Sequence, residues 1–178
     1  NKSRCIALWR KPTSKRNVFS LQNAAFAKIK GIHVGFEIAL SKNMLLTSKY
    51  NWQKGVEELD DKTTSPSRHA APAFGLTKIR YQSKKVSLEL SSQYSAAMPF
   101  EKMPQEEITK QTIYAADSNG NPYSPSWLIF NLSTRYDLSP RFQINAGIEN
   151  IGNLQYRGYS SGIVNPGRNF QLSLKGSF

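Results

Sequence analysis

Apolar residues recur at every second position over stretch after stretch of this sequence. Ile32, Val34, Phe36, Ile38 and Leu40 alternate with His33, Gly35, Glu37 and Ala39. The same spacing returns in Met44, Leu46, Ser48, Tyr50, Trp52, and in Val86, Leu88, Leu90, Ser92, Tyr94. It appears again in Leu128, Phe130, Leu132, Thr134, Tyr136, then in Phe142, Ile144, Ala146, Ile148, and last in Phe170, Leu172, Leu174, Gly176, Phe178. Such alternation predicts strands with one apolar and one polar face. A seventh strand, less clearly patterned, is predicted over Ala73–Tyr81, with Thr77, Ile79 and Tyr81 on the apolar face. Cys5–Trp9 reads as the tail of an eighth. No segment carries a helical period.

The intervening polar set is Glu37, Thr47, Lys49, Asn51, Glu89, Gln93, Asn131, Arg135, Gln143, Asn145 and Lys175. Burying those groups unpaired in a protein core would cost several kcal/mol each. A face that looks into water and another that looks into lipid removes the difficulty. In a bilayer every backbone N–H and C=O must be paired within the protein, which only helices and closed barrels achieve. No run of about 18 apolar residues is present for a spanning helix. The reading is therefore all-β, an antiparallel transmembrane barrel wall.

The connections support it. Ser41–Asn43, Gln82–Lys85 and Asp137–Pro140 are short, whereas the links around 53–70, 97–125 and 151–167 are long and rich in Pro, Ser, Asn and Gly. Outer-membrane barrels have short periplasmic turns and long external loops. Tyr50, Trp52 and Tyr94 then fall near the long-loop end of the apolar face, and Tyr81, Tyr136, Phe142 and Phe178 near the short-turn end. Those are the two interfacial belts. Lys28 and Lys30 break the first apolar stripe near its long-loop end, at the height of the outer leaflet's phosphates or just above it. Seven or eight strands enclose too little for a polar lumen, so the chain is expected to be an incomplete arc. The lack of an initiator Met and of a charged-then-apolar leader predicts a chain that begins mid-protein.

Other chemistry is sparse. One cysteine, Cys5, supports neither an intrachain disulfide nor a cysteine zinc site. His33 and His69 lie far apart and read as structural or solvated. Glu57-Glu58, Asp60-Asp61 and Glu106-Glu107 read as solvated loop charges. No constellation of nucleophile and base is visible, so an enzyme is not expected, nor any cofactor or metal site. The net charge of +12, from 24 basic against 12 acidic residues, suits an anionic ligand, which a narrow site attracts by focusing its field. It suits lipopolysaccharide contact equally. Loop aromatics Phe100, Tyr114 and Tyr123 are the candidate ligand contacts.

Asn145-Ala146-Gly147-Ile148-Glu149-Asn150-Ile151-Gly152-Asn153-Leu154-Gln155-Tyr156-Arg157 resembles the penultimate-strand signature of TonB-dependent receptors. Gly147, Glu149, Asn150, Asn153 and Tyr156 carry the match, and Gly152 stands where the family usually has Leu or Phe. Pro166, Gly167 and Arg168, followed by Phe170, are similar to the Pro-Gly-Arg-x-Phe that opens the family's last strand. Asn23 through Ile32 is similar to a further family stretch, with His33 in place of its usual Glu. Phe170, Leu172, Leu174 and terminal Phe178 resemble the signal read by the outer-membrane assembly machinery.

The resemblance implies the C-terminal part of a barrel of roughly 22 strands spanning residues 1–178, its plug domain and N-terminal strands lying outside this sequence. It implies the outer membrane of a Gram-negative bacterium, contact with lipopolysaccharide and lipid, and coupling to the TonB complex through the missing N-terminal region. The cargo would be a scarce small molecule or metal chelate, such as a ferric siderophore, haem or cobalamin. Two other readings share parts of the pattern. A passive porin-like or structural barrel shares the fold. A soluble basic β-sheet module would use the positive charge on nucleic acid or a polyanionic glycan, but the basic residues are scattered rather than gathered, and nucleic acid is not expected as a partner.

Overall fold

The computed structural model describes residues 26–59 and 61–178. Its strands are β1 (Ala27–Ser41), β2 (Met44–Glu58), β3 (Thr64–Pro66), β4 (Phe74–Gln82), β5 (Val86–Ser95), β6 (Ala115–Ala116), β7 (Pro122–Tyr123), β8 (Trp127–Ser139), β9 (Phe142–Glu149) and β10 (Asn169–Gly176). One antiparallel sheet runs β1-β2-β4-β5-β8-β9-β10, with β3 folding back on the top of β2. The predicted seventh strand is β4. The predicted strand tail at Cys5–Trp9, and Asn23, lie outside the described residues.

Register carries the alternation across the whole sheet. Ile38 pairs with Leu46, Leu46 with Ile79, Ile79 with Leu90, Leu90 with Leu132, Leu132 with Ile148, and Ile148 with Phe170. One face is therefore a continuous apolar belt. It is also an exposed one: Ile32, Phe36, Leu90 and Leu128 are 59%, 48%, 42% and 49% accessible. Few apolar residues are buried among those described: Ala70, Met103, Ile129 and the loop-end prolines Pro72, Pro104 and Pro122. A sheet with its apolar side chains outward and no core behind them matches a solvent of lipid.

The opposite face is polar and internally bonded. Glu89 accepts from Lys78 at 2.9 Å and from the Arg80 guanidinium at 2.7 and 3.0 Å. Gln143 donates to Asn145 at 2.6 Å, and Asn145 to Ser173 at 3.3 Å. These groups come from four strands and tie the wall together on its wet side.

Each short turn is closed by a serine. The Ser41 hydroxyl accepts from the Asn43 amide, Ser83 from Val86, and Ser139 from both Arg141 and Phe142. Such side-chain acceptors mimic a turn's missing backbone bond. At the same end Phe142 and Phe178 meet edge to face, with centroids 6.2 Å apart.

The strands outrun their sequence pattern at the other end. β1 begins at Ala27 and β2 continues to Glu58, so the first long loop covers only 59–73. The second, 96–126, is not bare: it holds a 3-10 turn at Phe100–Lys102, the one-turn helix α1 (Gln105–Ile108), another 3-10 turn at Gln111–Ile113, and the β6–β7 hairpin.

A charge on the outward face should therefore cost far more than one on the inward face. Leu90→Arg in the full-length protein is expected to lose about 2–4 kcal/mol near the bilayer midplane. Ser133→Lys, beside Glu89 on the wet face, should change stability by less than about 0.5 kcal/mol. Urea unfolding in lipid vesicles compares the two.

Candidate functional site

At the long-loop end the chain leaves β9 through a turn that is bonded to its own return. Asn150, 3% exposed, has φ +48° and Asn153 φ +53°, a backbone region that asparagine tolerates better than most residues. The Asn150 side chain donates to the carbonyls of Leu154 at 2.8 Å and Pro166 at 3.2 Å, and accepts from the Leu154 amide at 3.0 Å. Its own amide donates to the Asn131 side chain of β8 at 2.8 Å. The Asn153 side chain accepts from the Arg168 amide at 2.9 Å, and the Arg168 guanidinium donates to the Ile151 carbonyl at 3.0 Å. A Cβ at Gly167 would lie 2.5 Å from that Asn153 oxygen, so a side chain there would push the Asn153 amide away from the Arg168 N–H. Glu149 accepts from Asn169 at 3.2 Å. The Glu-Asn and Pro-Gly-Arg residues thus form one staple that closes the last long loop at its base.

Above the staple the three long loops converge on α1. Glu107, 1% exposed, accepts from Lys110 at 2.6 Å, from the Tyr114 hydroxyl, and from the Ser160 hydroxyl of the last loop at 3.1 Å. Arg157 of the last loop donates to the carbonyls of Ile113 at 3.2 Å and Thr112 at 3.4 Å. From the first loop, Ser65 accepts the Gln105 amide at 3.0 Å, and Arg68 pairs with Glu106 at 2.6 Å. Burial pushes the Glu107 carboxyl up, but the hydrogen bonds from Lys110, Tyr114 and Ser160 outweigh it and hold the group below its ordinary value. Burial, followed by the bond to Glu107, raises the Tyr114 hydroxyl, so it stays a donor.

Beneath this canopy the inward face turns aromatic. Trp127 opens β8 opposite Ser95, and Phe74 opens β4 between Asn51 and Ser95, all on the polar side of the sheet. Tyr156 packs on Trp127 with centroids 4.4 Å apart, and Tyr159 lies 6.3 Å from Tyr114. Trp127 borders two adjoining concavities. One is closed by Tyr114, Tyr156 and Arg157 of the loops. The other runs down the wall past Phe74 and Tyr159 to His33, Lys49 and Gln93. The result is an aromatic trough with cationic and amide groups along its floor. It offers flat apolar faces for stacking and N–H donors for oxygen ligands.

Of the loop aromatics singled out from sequence, Tyr114 lines this trough. Phe100 sits in the 3-10 turn and Tyr123 in the β6–β7 hairpin, away from its lining. Tyr156 belongs to the signature and also reaches the trough. Trp127, Phe74 and Tyr159 were not singled out. Trp127 had a signal: it sits one position off the outward stripe that begins at Leu128, which puts a large ring on the wet side of the wall. Glu106 and Glu107, read as solvated charges, are instead a loop-to-loop ion pair and a buried acceptor. Among the described residues no group of three His, Cys, Asp or Glu side chains is placed to hold a metal ion.

Two substitutions test this architecture in the full-length protein. Asn150→Ala leaves three part-buried backbone groups without their partner and is expected to cost about 2–4 kcal/mol, read as a lower urea midpoint in vesicles. Glu107→Gln should weaken the canopy by about 2 kcal/mol and raise amide exchange in 105–114 and 157–161 while leaving the strands protected. The carboxylate is the bonded form and its folded value is lowered. Its contribution is therefore full above the ordinary carboxylate range near 4.3 and is lost as pH falls through the folded value. Exchange in these loops, corrected for intrinsic rates, should be flat from pH 8 to 5 and rise only in stronger acid.

Comparison with known proteins agrees with the fold. No curated protein matches this sequence. Among solved structures, the copper transporter OprC superposes with a TM-score of 0.66 at 18% identity, over 85% of this chain and 23% of that one. A mutant of the ferric enterobactin receptor PfeA from Pseudomonas aeruginosa gives 0.61 at 16%, over 84% and 22%. The ferric-catecholate import receptor Fiu from E. coli gives 0.60 at 13%, over 85% and 21%. This chain spans less than a quarter of each receptor, and at these identities the likeness concerns the fold. The family model described as TonB dependent receptor-like, beta-barrel, matches residues 9–151, four-fifths of the chain up to the first turn of the staple. The chain belongs to the TonB-dependent receptor β-barrel family, a family of transport receptors rather than enzymes.

Proposed function

We propose that residues 1–178 form the C-terminal arc of the barrel wall of a Gram-negative outer-membrane receptor that takes up a scarce small ligand with energy from the TonB complex. The rest of the wall, a plug domain and the TonB-contacting segment lie upstream in the full-length protein. The observation that carries this reading is the aromatic trough at the loop end of a wet, polar-faced wall. It faces the medium side, where a receptor must first capture its ligand. Phe170, Leu172, Leu174 and Phe178 present an alternating apolar row ending in an aromatic residue, which suits recognition by the assembly machinery.

An organic chelate fits the trough better than a bare metal ion. Trp127, Tyr156, Tyr159 and Phe74 give stacking surfaces, and Lys49 and Arg157 give positive charge, whereas thioether, thiolate or clustered imidazole ligands do not converge there among the described residues. An anionic ligand that presents flat rings, such as a ferric-catecholate siderophore, is the class it favours, and haem, cobalamin or another chelate are the other members of the same reading.

The test is uptake of radioactive iron supplied as ferric enterobactin by iron-starved cells that carry the full-length gene or lack it. Uptake should require the gene and stop when an uncoupler collapses the proton gradient. Trp127→Ala should reduce capture about tenfold, the weight of one lost stacking surface of ~1.4 kcal/mol, with the receptor's membrane level unchanged. Gene-dependent uptake indifferent to the uncoupler would instead mark a passive barrel.

A further inference from the structure

The outward face of β1 and β2 changes character above Trp52. Ile32 pairs with Trp52, and the next outward pair is Lys30 with Lys54. Lys28 follows on the same face, opposite Val56. Two like charges directly opposite each other on a sheet repel, and no ion pair joins Lys28, Lys30 or Lys54 to a carboxylate among the described residues. All three are exposed.

The inner face at the same height has changed in the opposite sense. Ile29 points inward, and a Cβ on its partner Gly55 would lie 2.7 Å from Ser67, 3.0 Å from Ile29 and 3.4 Å from Ala70. The first loop therefore packs tightly on the inside of the wall, so the lysines cannot be explained as lumen cations. They stand on the lipid side, Lys30 and Lys54 about 7 Å beyond the Trp52 belt and Lys28 about 13 Å beyond it at ~3.3 Å per residue. That is headgroup height.

A groove lies beside Lys54, opening between Trp52, Val56, Pro66 and Met98 and running in under the first loop to Gly55 and Ala70, with Lys102 and Glu101 at its rim. Its walls are largely apolar and its rim mostly cationic. A free anion would need only the charge, whereas a lipid uses both.

We propose that Lys28, Lys30 and Lys54 form a site for the phosphate groups of an outer-leaflet glycolipid of the lipid A type, with part of an acyl chain or the sugar base against Trp52 and Val56. The bound phosphate screens the Lys30–Lys54 repulsion and fixes the height of this edge of the wall in the bilayer. The site rests on the reading that the sheet crosses an outer membrane with its long loops outward.

The test uses full-length receptor purified from outer membranes into mild detergent, with bound lipid measured by native mass spectrometry as bis-phosphorylated lipid A is titrated in. Wild type should hold lipid A. The triple variant Lys28→Gln, Lys30→Gln, Lys54→Gln should weaken it about a hundredfold, as expected for three headgroup-facing cations, and the corresponding Lys→Arg triple should restore it. Lipid A stripped of its phosphates should bind wild type no better than the triple Gln variant. Equal lipid A binding by wild type and the Gln variant would overturn the site. Displacement by millimolar inorganic phosphate with equal efficiency would overturn the lipid and leave a simple anion site. Should the triple fail to fold, as judged by heat-dependent gel mobility, Lys30→Gln and Lys54→Gln singly decide by the same titration. Finding the wild type outside the outer-membrane fraction would sink the barrel reading itself, whereas correct localisation with unchanged lipid binding sinks the site alone.

Discussion

Backbone hydrogen bonding inside a bilayer governs this structure. Hydrocarbon offers no donor or acceptor, so each N–H and C=O at that depth must find a partner within the protein. Antiparallel pairing from β1 to β10 satisfies nearly all of them, and once it is imposed the side chains have only two directions to take. Those pointing out must suit lipid, and those pointing in must suit water. The apolar belt through Ile38, Ile79, Leu132 and Phe170 and the bonded set of Lys78, Arg80, Glu89 and Asn145 are two consequences of the same ladder. The outer strands β1 and β10 each carry one open edge among the described residues, and the exposure of Leu172, at 81%, reflects that edge as well as its place on the outward face.

Outside the bilayer the rules reverse. Loops in water have only short ladders, β3 on β2 and β6 on β7, and the rest of their order here comes from a few buried polar groups. Asn150 holds the start of the last loop to its end, and Glu107 holds the middle loop to the last. Both are almost wholly buried, and both make three side-chain bonds. A buried amide or carboxylate is costly unless fully bonded, so each position accepts one geometry. Ser160 adopts φ +58°, uncommon for serine, while its hydroxyl reaches Glu107. The trough exists because these two points fix Tyr114, Tyr156, Arg157 and Tyr159 over the end of β8.

The strands were legible because period two is a property of single residues in order. Where the alternation weakened, so did the reading. β4 was blurred by Gly75 on the outward face and Leu76 on the inward one. The top of β2 was hidden because Lys54 occupies an outward position, whereas Lys28 and Lys30 are legible as breaks near the top of the first strand. The staple was legible as a motif, but not its reason, since Asn150 and Pro166 are bonded across a loop that the sequence does not show folding back. The role of Glu107 had no local signal at all. Its burial is created by Tyr114 and Ser160, seven and fifty-three positions away, and an acidic pair in a loop looks the same whether solvated or enclosed.

The top of β1 shows that the alternation carries more than strand identity. Its period persists from Ser41 to Ala27, but its sign does not. Below Ile32 the outward residues are apolar and the inward ones polar or small. Above it the outward residues are Lys30 and Lys28, and Ile29 faces in beside Gly55, against which Ser67 and Ala70 lie. A strand that stays in register while its two faces exchange polarity has passed from one pair of solvents to another, from lipid and lumen to headgroups and protein. The crossing point, at Ile32 and Trp52, is the membrane boundary written into the sequence, and it places a charge-dense band at the level where phosphate is the dominant counter-ion. The same inversion is only half complete on β8, where Trp127 and Ile129 face in but Leu128 and Phe130 still face out. The outer rim of the wall is therefore cationic on the β1–β2 side and apolar on the β8 side. An arc with such a rim contacts the outer leaflet unequally around its circumference, and its tightest lipid contact belongs where the lysines are.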